Sequence, residues 1–245
     1  MKSIPMTIMA GLLSFVAAGH ALPANAKSAI AEASAAGKFL CLIFYEAQDA
    51  SLAGLSSSIA AFRKSSTKKM TVYKAKMSDP ATQELAGKYG VQGGGDLPLL
   101  LVFAPNGVVT GGFPKQVTAD QLKQSVGVSD LMLKILKPLQ EQKVTLVALQ
   151  NQSTRLNAES WGGVNDFSND AKYAQFVTAF KADPAAAQSQ EFVKQCGLIS
   201  PLTQATVVVL VPPGRIGKVI AGKTTKTDIL AALQSCSGGS CCPKK

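Results

Sequence analysis

Three blocks of this chain occur twice, in the same order and at nearly one spacing. "LLLVFAPNGVVTGGFPKQVTADQLKQS" from Leu99 matches "VVVLVPPGRIGKVIAGKTTKTDILAAL" from Val207, which sets Lys115 on Lys223, Asp120 on Asp228 and Leu122 on Leu230, each 108 positions apart. Upstream, "YKAKMSDPATQELAGKYGV" matches "FVTAFKADPAAAQSQEFVKQCGL", with Asp79-Pro80 on Asp183-Pro184 at 104 positions. "GKFLCLIFYE" matches "QKVTLVALQN", with Lys38 on Lys143 at 105. One such block is easily a coincidence. Three in order, with offsets that drift only as loop lengths would make them, describe a unit folded twice. The chain must therefore build two small cores instead of one large one.

Each copy predicts the same layout. A short helix (29–36; 131–142) leads into an apolar run, Phe39–Tyr45 or Val144–Leu149, of the kind that forms a strand buried on both faces of a sheet. Leu52, Leu55, Ile59 and Phe62 then keep helical spacing. A strand follows at 72–77, and Asp79-Pro80 opens a helix, proline being well placed in a first helical turn. Leu99–Phe103 and 108–109 flank Pro105-Asn106-Gly107, a connection short enough for two antiparallel strands. A helix at 118–126 closes the unit, giving the order α-β-α-β-α-β-β-α. In the second copy Trp161-Gly162-Gly163 is expected to break the second helix. Residues 176–182 fit helix and strand alike, and the repeat selects strand. Gly127-Val128-Ser129 is a short linker, so the two units are expected to sit against each other.

The first 26 residues read as an exported leader: Lys2, an apolar stretch over 8–18 too short to span a bilayer, and the small-x-small site Ala24-Asn25-Ala26. Removing residues 1–26 removes His20, the only histidine. The remainder then has no imidazole for Ser-His or Cys-His catalysis or for a His-ligated metal. Net charge is +10 for the full chain, and loss of Lys2 leaves +9. The arginines are only Arg63, Arg155 and Arg215, and no stripe of basic and aromatic residues appears. The excess of lysine therefore reads as a solvated basic surface, and no nucleic-acid partner is expected. No later stretch has the length of a membrane span, and the protein is expected to be periplasmic or secreted.

The stretches "GKFLCLIFYE", "DPATQELAGKYGV" and "DLPLLLVFAPNGVVTGG" resemble the thioredoxin-like superfamily. The resemblance implies an α/β fold of two tandem thioredoxin-like domains, each a central mixed sheet flanked by helices, over 27–127 and, more degenerate, 128–235. It also implies a cis peptide before Pro98 and a partner-binding cleft around that residue and the loop of Glu46, Gln48, Asp49 and Ser51. The superfamily's enzymes carry Cys-x-x-Cys after the first strand, where the helix N-terminus lowers a thiol pKa. Here that stretch is "YEAQDASLAG", with Glu46, Gln48, Asp49 and Ser51, and in the second copy it is "LQNQSTRLNA". The second copy has Thr206 where the first has Pro98.

Glu46 and Asp49 admit two readings, a paired-carboxylate site or a helix cap and first-turn acid. The second is favoured. Asn151-Gln152-Ser153 matches a glycosylation sequon, read as chance. Cys41 and Cys196 read as packing residues. The last ten residues, 236–245, form a Cys-rich tail. Its Cys236, Cys241 and Cys242 form a redox or metal candidate: Cys236 bridged to Cys241 or Cys242, or three thiolates holding Cu(I) or Zn(II), or no role. The resemblance implies a redox-inactive protein, not an enzyme and without a cofactor, that binds polypeptide partners or acts as a scaffold. Thiol–disulfide exchange or metal handling by the tail is the alternative. Partner, metal and oligomeric state stay open.

Overall fold

The computed structural model describes residues 25–237. Residues 1–24 of the expected leader, and Cys241 and Cys242, lie outside that range. The first half runs α1 (Ala26–Ala35), β1 (Phe39–Tyr45), α2 (Ala50–Ser65), β2 (Met70–Lys76), α3 (Pro80–Lys88), β3 (Leu99–Phe103), β4 (Val109–Pro114) and α4 (Ala119–Val126). The second half repeats it: α5 (Asp130–Gln140), β5 (Val144–Leu149), α6 (Asn157–Ser168), a 3₁₀ turn (Ala174–Phe176), β6 (Val177–Ala182), α7 (Ala187–Gln195), β7 (Thr206–Val211), β8 (Arg215–Ala221) and α8 (Lys226–Ser237).

Each half builds its own four-stranded mixed sheet, ordered β2-β1-β3-β4 and β6-β5-β7-β8. The first pair in each is parallel, and the other two are antiparallel. A parallel pair needs a crossover, and α2 and α6 supply it. The central strands are buried on both faces because helices cover both. In the first sheet Cys41 and Ile43 face Leu52, Leu55 and Ile59 of α2 and Leu122 of α4. Leu40, Leu42 and Phe44 face Ala29 and Ala33 of α1 and Leu85 of α3. In the second, Val147 and Leu149 pack under α5 and α7, and Leu146 and Ala148 under α6 and α8. Two tandem thioredoxin-like domains, as the residues implied, are the architecture of this chain.

The sheets also correct the repeat. Leu99 pairs with Phe44 and Thr206 with Leu149, so the third blocks lie 107 positions apart (206 against 99), not 108. The capping boxes agree: Thr118 with Gln121 opens α4, and Thr225 with Asp228 opens α8. Asp228 thus matches Gln121 instead of Asp120. Asp79 caps α3 directly through Ala81 N. Asp183 instead follows β6 at once and accepts from Asn151, while α7 starts beyond Ala186. The two Asp-Pro pairs match in sequence but not in place.

One further expectation changes. Gly162 and Gly163 do not break α6, which runs through both. A Cβ on Gly163 would stand 1.9 Å from the Thr224 carbonyl oxygen, so this glycine lets the helix touch the chain entering α8. The final helix continues through Ser237, which places Cys236 within its last turn. At the other end Asn25 caps α1 through Ser28 N at 2.9 Å, and Ala26, 1% exposed, is already inside the helix.

The short linker holds the units together as expected. The Gln140 amide both donates to the Val109 carbonyl (2.7 Å) and accepts from the Val109 N–H (3.0 Å). Asn106 Nδ2 donates to the Leu133 carbonyl at 3.1 Å, and Leu133 packs on the first core. These contacts lie at the β3–β4 turn, the end of the first sheet opposite Pro98.

Candidate functional site

The connection from β1 to α2 is only four residues, 46–49, and all are exposed. Asp49 is the N-cap of α2: its Oδ1 accepts from Leu52 N at 2.9 Å. That satisfies one of the orphan N–H groups of the first turn, and the helix dipole favours the charge. Glu46 turns elsewhere. Its Oε1 accepts from Gly94 N at 3.1 Å, forty-eight positions along the chain. The two carboxylates therefore serve separate backbone sites and do not form a pair. Among the described residues no group of three or more His, Cys, Asp and Glu is placed to hold a metal ion.

The partner of Glu46 is a triple glycine, Gly93-Gly94-Gly95, in the connection from α3 to β3. A Cβ on Gly93 would stand 2.8 Å from Glu46 Oε1, so the carboxylate approaches only because that side chain is missing. Three consecutive glycines ahead of "DLP" were the visible signal for this contact, and the sequence reading left them unused. The same connection ends at the cis peptide Leu97–Pro98. Pro98 is buried, and its carbonyl accepts from Lys115 N at 2.7 Å, one step beyond the β3–β4 ladder. Continuing the register of Leu99 with Phe44 sets Pro98 beside Tyr45. Glu46 thus meets the glycines of the connection that leads to the Leu97–Pro98 turn, and Gln48, Asp49 and Ser51 are exposed where α2 begins. Two hollows flank the glycine turn. One of about 530 Å³ is lined by Glu46, Met77, Gln83, Val91 and Gly93 among others, and one of about 400 Å³ includes Asp96, Leu97, Leu99 and Pro114.

The second unit differs in the corresponding place. Ala205, not Thr206, is level with Pro98: its carbonyl accepts from Gly222 N at 2.7 Å as Pro98 accepts from Lys115. The cis prolines of this unit are elsewhere, at Ser200–Pro201 and Pro212–Pro213. Its β5–α6 connection is longer, 150–156, and the extra chain folds inward. Arg155 N donates to the Thr203 carbonyl (3.1 Å), and Ala205 N donates to the Arg155 carbonyl (2.8 Å). Asn151, Thr154 and Asn157 lock the loop through Thr154 Oγ1 to Asn157 Oδ1 (2.7 Å) and Asn157 Nδ2 to the Asn151 carbonyl (2.7 Å). The Asn151 amide also donates to Asp183 at 2.7 Å. In the second unit the connection after β5 is therefore paired with the chain that leads into β7.

The two thiols inside the folded body are poor nucleophiles. Burial in β1 pushes the Cys41 thiol up to about 12, with the Arg63 charge opposing it. Burial likewise raises Cys196, the C-cap of α7, to about 11. Thiolate is the reactive form, so neither is poised for exchange near neutral pH. Tyr89 caps α3 as Cys196 caps α7.

No protein-family profile and no curated protein matches this chain. Solved structures do. The first two thioredoxin domains of Saccharomyces cerevisiae Eps1p are 12% identical, over 88% of this chain and 98% of theirs, with a TM-score of 0.30. The NTD_N/C domain of alkyl hydroperoxide reductase AhpF from Enterococcus faecalis is 20% identical, over 84% and 98%, at 0.30. Zinc-bound human ERp44 is 12% identical, over 89% of this chain and 57% of its own, at 0.35. The strand order and register carry the fold assignment. These likenesses accompany it.

Proposed function

We propose that this chain is an exported, redox-inactive thioredoxin-like protein. Its first unit binds polypeptide at the cleft of Glu46, Gln48, Asp49, Ser51 and Pro98, and its second unit is the scaffold. The observation that carries the reading is Asp49. At the α2 N-terminus, where an attacking thiolate would gain from the helix dipole, a carboxylate already occupies the Leu52 N–H. Attack by oxygen at this position does not exchange disulfides. The loop of the second unit is already paired with the chain that leads into β7, which favours the first unit as the one that takes an extended peptide. The interdomain contacts at the far end of the first sheet leave that cleft uncovered. Export rests on the leader-like residues 1–26.

The test uses the full chain with Cys236, Cys241 and Cys242 changed to Ser. We expect no insulin reduction, together with binding of a reduced, carboxymethylated unfolded protein that the further change Ser51→Trp weakens. Reduction of insulin by this variant overturns the redox-inactive reading, and absence of binding overturns the binding one.

Cys41 and Cys196 favour a second reading for any thiol chemistry the chain performs. With both raised by burial, such chemistry falls to Cys236, in the last turn of α8, with Cys241 or Cys242. Exchange or metal uptake that the same triple variant abolishes supports this reading, and retention of it excludes the tail.

A further inference from the structure

The hollow beside Glu46 has a chemistry of its own. Its volume, about 530 Å³, is in the range of ligand clefts, roughly 300–1,000 Å³. The named walls are Glu46, Met77, Ser78, Gln83, Gly87, Val91 and Gly93, and Glu46 is the single charged residue among them. Two walls are apolar: Val91 is buried and Met77 packs on the core that α1 and α3 share with the sheet. Two are glycines, and an added Cβ at Gly87 meets nothing within 4 Å. Glu46 brings a carboxylate to the wall and Gln83 an amide. Gln83 spends an amide hydrogen on the Met77 carbonyl at 2.9 Å, which holds the side chain at the wall with its amide oxygen still an acceptor. Gly87 belongs to the last turn of α3, where the helix dipole presents its negative end.

A carboxylate, acceptor oxygens, the negative end of a helix and an apolar strip suit a long aliphatic stem ending in a cation. The hollow shares Val91 and Gly93 with the neighbouring one that Leu97 lines, which puts it within reach of a side chain from a peptide lying along the glycine turn. We infer that this pocket takes a lysine or arginine side chain of the bound polypeptide, its stem along Val91 and Met77 and its charge at Glu46. The inference rests on the polypeptide-binding reading above and adds the class of residue recognised. It also runs against the long-range field. A chain of net charge +10 attracts acidic peptides at a distance, so selection of a basic residue has to come from a local site.

A merely structural role for Glu46 predicts something different. Oε1 accepts the Gly94 N–H, and a glutamine oxygen accepts it equally well. Glu46→Gln therefore keeps the glycine turn and removes only the charge. Gly93→Ala keeps the charge and displaces it, because the new Cβ would stand 2.8 Å from Oε1. The probes are three fluorescein-labelled twelve-residue peptides of Gly, Ser and Leu with a central Lys, Gln or Glu, followed by fluorescence anisotropy against the full chain at low and high salt. We expect the Lys peptide to bind about fivefold more tightly than the Gln peptide at low salt, the scale of one partly exposed ion pair. High salt, Glu46→Gln and Gly93→Ala should each bring the two together. Equal binding of the Lys and Gln peptides by the unaltered chain overturns the inference and leaves the binding reading standing. So does a preference for the Glu peptide that Glu46→Gln does not change. Binding of none of the three overturns the polypeptide reading and the inference with it.

Discussion

Gly162 and Gly163 are adjacent in sequence and opposite in consequence. A Cβ on Gly162 meets nothing within 4 Å, whereas one on Gly163 meets the Thr224 carbonyl. Gly162→Ala should therefore stabilise the chain by about 0.5–1 kcal/mol, the usual gain of alanine over glycine inside a helix. Gly163→Ala should cost about 3 kcal/mol, as overpacking against backbone does. Urea unfolding of the two variants checks both signs. Thr145 makes a second case. It is fully buried in β5, and its hydroxyl has no hydrogen-bond partner among the described residues. Valine has the same shape without the polar atom, so Thr145→Val should raise stability by about 1 kcal/mol, read as a higher urea midpoint with unchanged slope.

Between elements, α6 and α8 are joined at their ends by a charged contact over an aromatic pair. Lys226, the first residue of α8, pairs with Asp170 just beyond α6 and lies 5.9 Å from the Tyr173 ring centre. Tyr173 stacks on Phe167 of α6 with centroids 4.9 Å apart. The hydrogen bond from Lys226 and that from the Lys172 N–H hold the Asp170 carboxyl below its ordinary range. The same bond raises Lys226. A carboxyl depressed in the folded state contributes stability above its unfolded pKa and loses it as pH falls through the folded value. A raised lysine contributes below its unfolded pKa and loses it as pH rises through the folded one. Against ordinary values of 3.8 and 10.5, the contact acts across the middle of the pH scale and fades at both ends. Asp170→Asn should therefore lower the melting temperature between about pH 4 and pH 10, with the difference closing as pH falls through the lowered Asp170 value. A difference independent of pH would assign the contact to packing.

At the scale of the whole molecule, two similar units share one short linker and meet through very few groups. The Gln140 amide imitates a strand partner for Val109 at the start of β4, making both bonds that a neighbouring residue would make. Gln140→Ala removes both, and about 1–2 kcal/mol of coupling with them. We expect the two units then to unfold in separate steps and the 127–129 linker to be cut faster by protease. Peptide binding at the first cleft should stay unchanged, since Pro98 is at the other end of the sheet. Loss of binding in this variant would mean that the second unit shapes the cleft.

The chain's own residues determined the number of units, the order of elements and the absence of cysteine after the first strand of each unit. Each rests on information local in sequence: apolar runs such as Phe39–Tyr45, the capping box at Thr118, and the absence of cysteine from "YEAQDASLAG". The cap role of Asp49 belongs here too, because an N-cap and its N–H partner are three residues apart. What tertiary structure decided involves residues far apart in sequence. Only the sheet register moved the repeat from 108 to 107 and put Ala205 level with Pro98. Only the packing of α6 on Thr224 turned two glycines from a helix break into a close contact. Glu46 was legible as an acid but not as the partner of Gly94, because a side chain and a backbone N–H forty-eight residues apart meet only once the strands between them have folded. The pairing of the second unit's loop is of the same kind: nothing in "LQNQSTRLNA" announces that Arg155 will pair with Thr203 and Ala205, since a loop takes its backbone partners from whatever the completed sheet sets beside it.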